Sequence, residues 1–122
     1  MAPYAGRMPT DQDCLFCKIV AGDIDADVVH ESDTTVAFRD LNPQAPTHAL
    51  VVPRSHHADA ASLADAEPET VAELVRVARD VAGGDGLDEY RLVFNTGAAA
   101  GQTVFHTHLH VLAGRAMTWP PG

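Results

Sequence analysis

The chain is organised around residues 101–112, which run Gly101-Gln102-Thr103-Val104-Phe105-His106-Thr107-His108-Leu109-His110-Val111-Leu112. Three histidines recur at every second position, and successive side chains of a β-strand point to opposite faces of its sheet. The alternation predicts a strand with three imidazoles on one face, roughly 6–7 Å apart, and Thr107, Leu109 and Val111 on the other. In a helix the same rings would spread around the axis and form no cluster. The alternatives are a plain metal-binding ladder, or chance among seven histidines.

The composition indicates one domain of a cytosolic protein. With 122 residues, 46% of them hydrophobic, the chain is long enough to bury one core. A net charge of −9, with Lys18 as the only lysine, argues against binding to nucleic acid or to an anionic membrane, both of which require basic patches. No apolar run approaches the roughly 20 residues of a membrane span. Two cysteines are too few for a disulfide-stapled secreted scaffold, so we expect a cytoplasmic location.

The hydrophobic pattern predicts an α+β fold, an antiparallel sheet with one long and one short helix on one of its faces. Residues 1–12 lack periodicity and are expected to form a loose leader ahead of a single domain, residues 13–122. Asp13 is the expected N-cap of a short helix over 14–20, and the long helix is expected over 68–82. Besides the strand that carries the histidines, strands are expected at 28–30, 35–38, 48–52 and 90–94.

Cys14 and Cys17 form a C-x-x-C pair, which occurs in redox couples, in apolar cores and in metal sites. Thiolate and imidazole ligands together suit tetrahedral zinc. Two histidine ligands would then be needed, one being His56 or His57 and the other one of the three alternating histidines. Such a closed site would be structural and would leave the remaining histidines free for chemistry.

Two small-residue segments, 95–97 and 101–103, precede the histidines and are suited to holding a phosphate through backbone N–H groups, amides and hydroxyls. Asp40 follows an apolar strand and is suited to accept hydrogen bonds from ribose hydroxyls. A neutral imidazole is a competent nucleophile near pH 7, because its ordinary pKa is about 6.5. Flanking imidazoles and amides can hold phosphoryl oxygens, and a second histidine can carry a proton. Together these groups favour displacement at phosphorus.

The residues behind these interpretations resemble a known family. His106 to Leu112 matches the histidine triad (HIT) signature, three histidines alternating with apolar residues, except at Thr107. The ending, Gly114 to Gly122, is similar to the C-terminus of the histidine triad nucleotide-binding branch. The C-x-x-C pair is similar to the pair that holds zinc in bacterial members of that branch. The other similar segments are 13–19, 37–40, 43–48, 95–97 and 101–102.

This resemblance implies a HIT-like fold whose sheet continues across a homodimer. It implies binding of a purine nucleotide (AMP or GMP) and hydrolysis of nucleoside 5′-phosphoramidates, the activity of a purine nucleoside phosphoramidase. His108 would be the nucleophile that forms a nucleotidyl-histidine intermediate, His110 would bind the α-phosphate, and His48 would complete the catalytic group by orienting the triad. The implied nucleotide contacts are Asp40 with the ribose, Phe16, Ile19, Phe38 and Leu41 with the base, Asn95, Gly101, Gln102 and Thr103 with the phosphate or leaving group, and Trp119 reaching the partner protomer's site.

The resemblance also implies one structural zinc per chain. Its ligands would be Cys14, Cys17, His56 and His106, and on spacing alone His57 competes with His56. Fixing His106 on zinc would anchor the segment just upstream of the nucleophile.

The chain departs from the family pattern without losing a catalytic group. Thr107 is β-branched and keeps the strand propensity of the apolar residue it replaces, and Thr103 keeps the hydroxyl of the usual serine. Phe105 lacks the hydroxyl of a common tyrosine. Arg39, beside Asp40, is expected to alter the base or sugar preference.

Three other functions use the same residues: hydrolysis of dinucleoside polyphosphates, nucleotidyl transfer, and a nucleotide-binding scaffold with weak activity. The tail that carries Trp119 favours phosphoramidate hydrolysis over the first two, and the intact histidines argue against the third.

Overall fold

The chain folds as an antiparallel sheet of five strands with helices on both faces. The computed structural model describes residues 13–122, so the expected leader, residues 1–12, lies outside the described residues. The elements in chain order are α1 (Leu15–Ala21), β1 (Val28–Glu31), β2 (Thr35–Arg39), β3 (Thr47–Pro53), α2 (Ala60–Ala66), α3 (Pro68–Gly84), β4 (Tyr90–Val93), a 3₁₀ turn (Ala98–Ala100) and β5 (Leu109–Ala113). Their spatial order is β1-β2-β3-β5-β4, with every neighbouring pair antiparallel. The predicted α+β class is confirmed.

The long helix α3 packs on one face of the sheet. Leu74, Ala78 and Ala82 are fully buried along the helix stripe that faces the strands. They belong to a core cluster with Leu63 of α2 and with side chains from alternate positions of the central strands, namely Ala37, Ala49, Val51, Leu109 and Val111. This core fixes the direction in which the intervening side chains of β2, β3 and β5 project.

The short helix α1 covers the opposite face, so the prediction of helices on one face is wrong. Phe16 and Cys17 pack there in a second cluster with Val36, Phe38, Leu50 and Val52. The reason is visible in β2 and β3, which are apolar at consecutive positions and therefore bury both of their faces.

Three helix predictions are corrected. The chain forms a second short helix, α2, whose N-cap Asp59 accepts a hydrogen bond from the backbone N–H of Ser62 through Oδ1 (2.9 Å). The N-cap of α1 is Cys14 rather than Asp13, because the Cys14 thiol accepts the backbone N–H of Cys17 (3.3 Å). Gly83 and Gly84 are the last two residues of α3, and the helix therefore runs past its expected end at residue 82.

The strand that carries the histidines is shorter than expected. β5 begins at Leu109, so His110 lies in the strand while His106 and His108 precede it. Thr107 explains the difference, since its N–H and its hydroxyl both donate to the His57 carbonyl (2.8 and 2.9 Å) rather than to a strand neighbour.

Among residues 13–122, no helix has both the length and the apolar character needed to cross a membrane.

Candidate active site and Cys/His cluster

A cavity of about 330 Å³ opens on the α1 face of the sheet. Leu50 of β3 and His110 of β5 are register partners, so both side chains project toward this cavity. α1 supplies an apolar wall, and the segment between the 3₁₀ turn and β5 supplies polar groups. Of the residues expected to contact nucleotide, those that line the cavity are Phe16, Ile19, Phe38, Asp40, Leu41, Asn95, Gly101, Thr103, His108 and His110.

Two expected contact residues lie elsewhere. Gln102 is buried behind the loop: its Nε2 donates to the carbonyls of Ala58 (2.6 Å) and Val104 (3.1 Å), and its Oε1 accepts the N–H of Gly97 (2.8 Å). The structure therefore gives Gln102 the role of holding the loop in shape. Trp119 lies in the C-terminal tail, 82% exposed and away from the cavity wall.

The ring of His108 is held in one tautomer. Its Nδ1–H donates to the carbonyl oxygen of His106 (2.8 Å), which can only accept, so the lone pair lies on Nε2. Phe16 meets the ring edge-on, with 4.9 Å between centroids. Burial lowers the pKa of His108 below its usual range, which keeps the imidazole neutral and nucleophilic.

His110 is held in the opposite tautomer by a chain of hydrogen bonds. The backbone N–H of Gln44 donates to Nδ1 of His48 (2.9 Å), so His48 carries its proton on Nε2. This Nε2–H donates a hydrogen bond to Nδ1 of His110 (2.9 Å), so the proton of the neutral His110 ring lies on Nε2. Asp40 lies 3.4 Å from His48 Nε2 and favours the same arrangement.

Both rings of this pair are neutral near pH 7. Burial, followed by the neighbouring His108 and His48, lowers the pKa of His110 to about 4. Burial also lowers the pKa of His48. The cavity thus presents a lone pair on His108 beside an N–H donor on His110, with 5.1 Å between the ring centroids. One group can attack an electrophile, and the other can hold an anionic oxygen.

A second constellation, the Cys/His cluster, consists of Cys14, Cys17, His56 and His106. The four ligand atoms lie within 4.8 Å of one another. His106 Nδ1 is 3.4 Å from each sulfur and 3.2 Å from His56 Nδ1, and Cys17 Sγ is 3.3 Å from His56 Nδ1. A tetrahedral zinc with bonds of about 2.3 Å to sulfur and about 2.0 Å to nitrogen requires ligand separations of roughly 3.3–3.8 Å. The donor set and its spacing fit that ion.

Hydrogen bonds and burial around the Cys/His cluster determine which imidazole nitrogens can bind a metal. Nε2–H of His106 donates to the Pro53 carbonyl (2.8 Å), which leaves the lone pair on the Nδ1 that faces the sulfurs. Burial lowers the pKa of His106 to about 4, so the ring is neutral. His57 is turned away and binds Glu67 through Nε2 (2.9 Å). Of the two competing histidines, the structure brings His56 to the cluster.

Comparison with known proteins identifies the family of the chain. The HIT domain model matches residues 21–117. The chain belongs to the HIT family. An uncharacterized HIT-like protein of Synechococcus elongatus is 44% identical over 112 residues, which cover 91% of this chain and 98% of that protein. The 14 kDa zinc-binding protein of Zea mays is 44% identical over 120 residues, which cover 95% and 93%. A HIT family hydrolase from Legionella pneumophila Philadelphia 1 is 50% identical, with a TM-score of 0.86 over 90% of this chain and 100% of that one.

In this HIT domain the three alternating histidines serve two sites. His106 faces the Cys/His cluster, whereas His108 and His110 line the cavity. The backbone of His106 joins the two sites, because its carbonyl oxygen accepts a hydrogen bond from Nδ1–H of His108. Sequence reasoning missed the backbone N–H of Gln44 and the carbonyl of Pro53, since neither group has a side-chain signal.

A polar junction beside the HIT-domain cavity was also missed. Arg39 lines the cavity wall, yet its guanidinium binds Asp85 through two hydrogen bonds (2.6 and 2.9 Å). The Thr47 hydroxyl donates a hydrogen bond to the same carboxylate (2.7 Å). The junction ties the ends of β2 and α3 to the start of β3, and the expected effect of Arg39 on base or sugar preference stays a prediction.

This junction predicts an acid-dependent loss of stability. The hydrogen bonds from Arg39 and then from Thr47 lower the pKa of Asp85 from 3.8 to about 2. Because the folded-state pKa is the lower one, the stabilisation is complete above the unfolded value and is lost as the pH falls through about 2. We expect Asp85→Asn to remove this part of the pH dependence of the unfolding free energy, measured by urea titration at a series of acidic pH values. The matched control, Asp80→Asn, changes an exposed pair with Arg79 and should keep the wild-type slope; equal slopes in both variants would contradict the prediction.

Proposed function

We propose that the protein hydrolyses nucleoside 5′-phosphoramidates through a covalent nucleotidyl-histidine intermediate on His108. The observation that carries the proposal is the pair of opposite tautomers at one cavity, a lone pair on His108 and an N–H on His110. The HIT family hydrolase from Legionella pneumophila, half identical to this chain, supports hydrolysis as the class of reaction. The tail ending in Trp119-Pro120-Pro121-Gly122 supports the nucleotide-binding branch of the family.

The reaction has two displacements at the α-phosphorus. Nε2 of His108 attacks phosphorus and the N–P bond to the ring forms, while the P–N bond to the leaving amine breaks and the amine takes up a proton from solvent. Water then attacks phosphorus, the bond to His108 breaks, a proton of the attacking water returns to solvent, and the nucleoside monophosphate leaves. His110 Nε2–H binds a non-bridging oxygen in both steps, where charge accumulates.

The cavity lining supports a matching placement of the nucleotide. Its apolar wall, with Phe16, Phe38 and Leu41, suits a purine base, and Asp40 at the end of β2 suits the ribose hydroxyls. Asn95, Gly101 and Thr103 lie at the histidine end and suit the phosphate or the leaving group.

A panel of substrates tests this function against its competitors. We expect adenosine and guanosine 5′-phosphoramidates to be turned over faster than dinucleoside polyphosphates, with the nucleoside monophosphate as the product. Faster turnover of dinucleoside polyphosphates, or transfer of the nucleotidyl group to an acceptor other than water, would replace the proposal with the corresponding reaction. Tight AMP binding with negligible turnover of every substrate would leave a nucleotide-binding scaffold.

We also propose one structural zinc per chain, held by Cys14, Cys17, His56 and His106. The spacing of their donor atoms and the zinc-binding relative from Zea mays support this assignment. If bound there, zinc would crosslink the N-terminal end of α1, the segment after β3 and the segment before β5. Thiolate ligands require reduced cysteines, which supports the predicted cytoplasmic location.

A homodimer with a continuous sheet is proposed through β4. The sheet has two edges, β1 and β4. The β1 edge is irregular, because its register with β2 shifts between Val28 and His30, and such a bulge opposes pairing with another strand. The β4 edge pairs regularly with β5 from Tyr90 to Val93. Pairing of two copies there supports a role for Trp119 in the partner protomer's site.

A further inference from the structure

The loop between β2 and β3, residues 40–46, is held from outside the cavity by the turn that follows β5. Nε of Arg115 donates to the Gln44 carbonyl (2.8 Å), and Nη1 of the same guanidinium donates to the carbonyl of Ala116 (3.0 Å). Gly114 lies against Pro46 with a positive φ of 94°, and a Cβ at this position would approach Pro46 Cβ to 2.9 Å. The turn therefore fixes the loop by a close backbone contact and by a charged hydrogen bond.

Gln44, whose carbonyl binds Arg115, also sets the tautomer of His48. Gln44 presents its carbonyl to Arg115 and its N–H to Nδ1 of His48 (2.9 Å). Both groups flank one Cα, so a rotation of the Gln44 backbone that releases one bond disturbs the other. The N–H of Gln44 excludes a proton from His48 Nδ1, which is the condition for His48 to donate to His110.

A single strand, β5, connects Arg115 with both His110 and His48. β5 carries His110 and continues directly into Gly114 and Arg115. In β3, Thr47 and His48 pair with Ala113 and Leu112 of β5. The strand that carries His110 therefore leads directly into the arginine that holds the loop before His48.

We propose that Arg115 is a positioning residue, which fixes the His48–His110 pair in the tautomers needed at the cavity by holding the Gln44 backbone. The inference rests on the proposed function for its catalytic consequence, while the tautomers themselves are independent of it. If the Gln44 N–H withdraws, His48 can carry its proton on Nδ1 and accept on Nε2. His110 then carries its proton on Nδ1 and directs a lone pair, rather than a donor, at an anionic oxygen.

The tautomers are measured directly by long-range ¹H–¹⁵N correlation spectra of the imidazoles in the ligand-free protein at neutral pH. The wild type should show His48 and His110 protonated at Nε2. In Arg115→Ala we expect a fraction of both rings to be protonated at Nδ1, and Arg115→Lys should restore the wild-type pattern in part. The matched control is Arg54→Ala. Nε of Arg54 also donates to the carbonyl of a turn residue, Ser32 (2.7 Å), and this hydrogen bond is remote from His48. Arg115→Gln replaces the alanine variant if the latter does not fold.

Kinetics supply the second readout. With a phosphoramidate substrate, Arg115→Ala should lower kcat about fivefold, the loss typical of one hydrogen bond, and change KM less. Wild-type tautomers in Arg115→Ala, or equal tautomer shifts in Arg54→Ala, would overturn the inference. Failure of the proposed function shows differently: the wild type then lacks phosphoramidate turnover, while the tautomer shift in Arg115→Ala is still observed.

Discussion

His108→Ala should lower the turnover of an adenosine 5′-phosphoramidate by about four orders of magnitude or more, while AMP still binds. In the proposed mechanism the substitution removes Nε2, the atom that forms the covalent intermediate, and loss of a nucleophile lowers the rate far more than loss of a binding contact. The apolar walls remain, because Phe16, Phe38 and Leu50 also pack with Val36 and Val52, although Phe16 loses its contact with the His108 ring. Turnover is measured in single-turnover and steady-state assays, and AMP affinity by calorimetry.

His30→Ala is the matched control for this experiment. His30 lies on the edge strand β1 and does not line the cavity, so its removal should leave turnover near the wild-type rate. Turnover of His108→Ala within tenfold of the wild type would exclude the covalent mechanism. Loss of AMP binding in the same variant would instead indicate that the cavity had collapsed.

The second large effect is expected at the Cys/His cluster. His56→Ala and Cys14→Ser should each abolish the binding of zinc, which elemental analysis of the purified wild type should show at about one ion per chain. Each variant should also lose about 4 kcal/mol of unfolding free energy under conditions where free zinc exceeds its dissociation constant a thousandfold. Denaturant titrations in the presence of zinc measure this difference.

His57→Ala is the control, because His57 is the sequence neighbour of His56 and binds Glu67. It should retain the full zinc content. A wild-type protein that contains no zinc, or a Cys14→Ser variant with unchanged zinc and stability, would contradict the assignment of Cys14 and its neighbours as ligands.

The side-chain alternation of the histidine segment was predictable, but its strand boundaries were not. Leu109 and Val111 face the α3 core while His110 faces the cavity, as a two-residue period requires. The strand bonds fail before Leu109, because Thr107 binds the His57 carbonyl through both its N–H and its hydroxyl. That competing partner comes from a segment 50 residues earlier, and the local pattern contains no signal for it.

Contacts distant in sequence account for the other differences. Residue type and spacing leave His56 and His57 equivalent, and the choice follows from Glu67, which binds His57. The position of α1 on the second face follows from the double burial of β2 and β3, which became clear only when their partners were known. Backbone groups such as the Gln44 N–H leave no trace in residue identity, so the tautomer of His48 was beyond sequence reasoning.

His106 contacts both the Cys/His cluster and His108, and this double contact limits how the protein can be redesigned. Its ring belongs to the Cys/His cluster, and its carbonyl accepts the hydrogen bond that sets the tautomer of His108, the proposed nucleophile. A shift of the His106 backbone would therefore move both the ring at the cluster and the oxygen that binds His108. The carbonyl of Pro53, at the end of β3, holds the far side of this ring by accepting its Nε2–H. Redesign of the substrate range is therefore safest when it leaves the backbone at Pro53 unchanged.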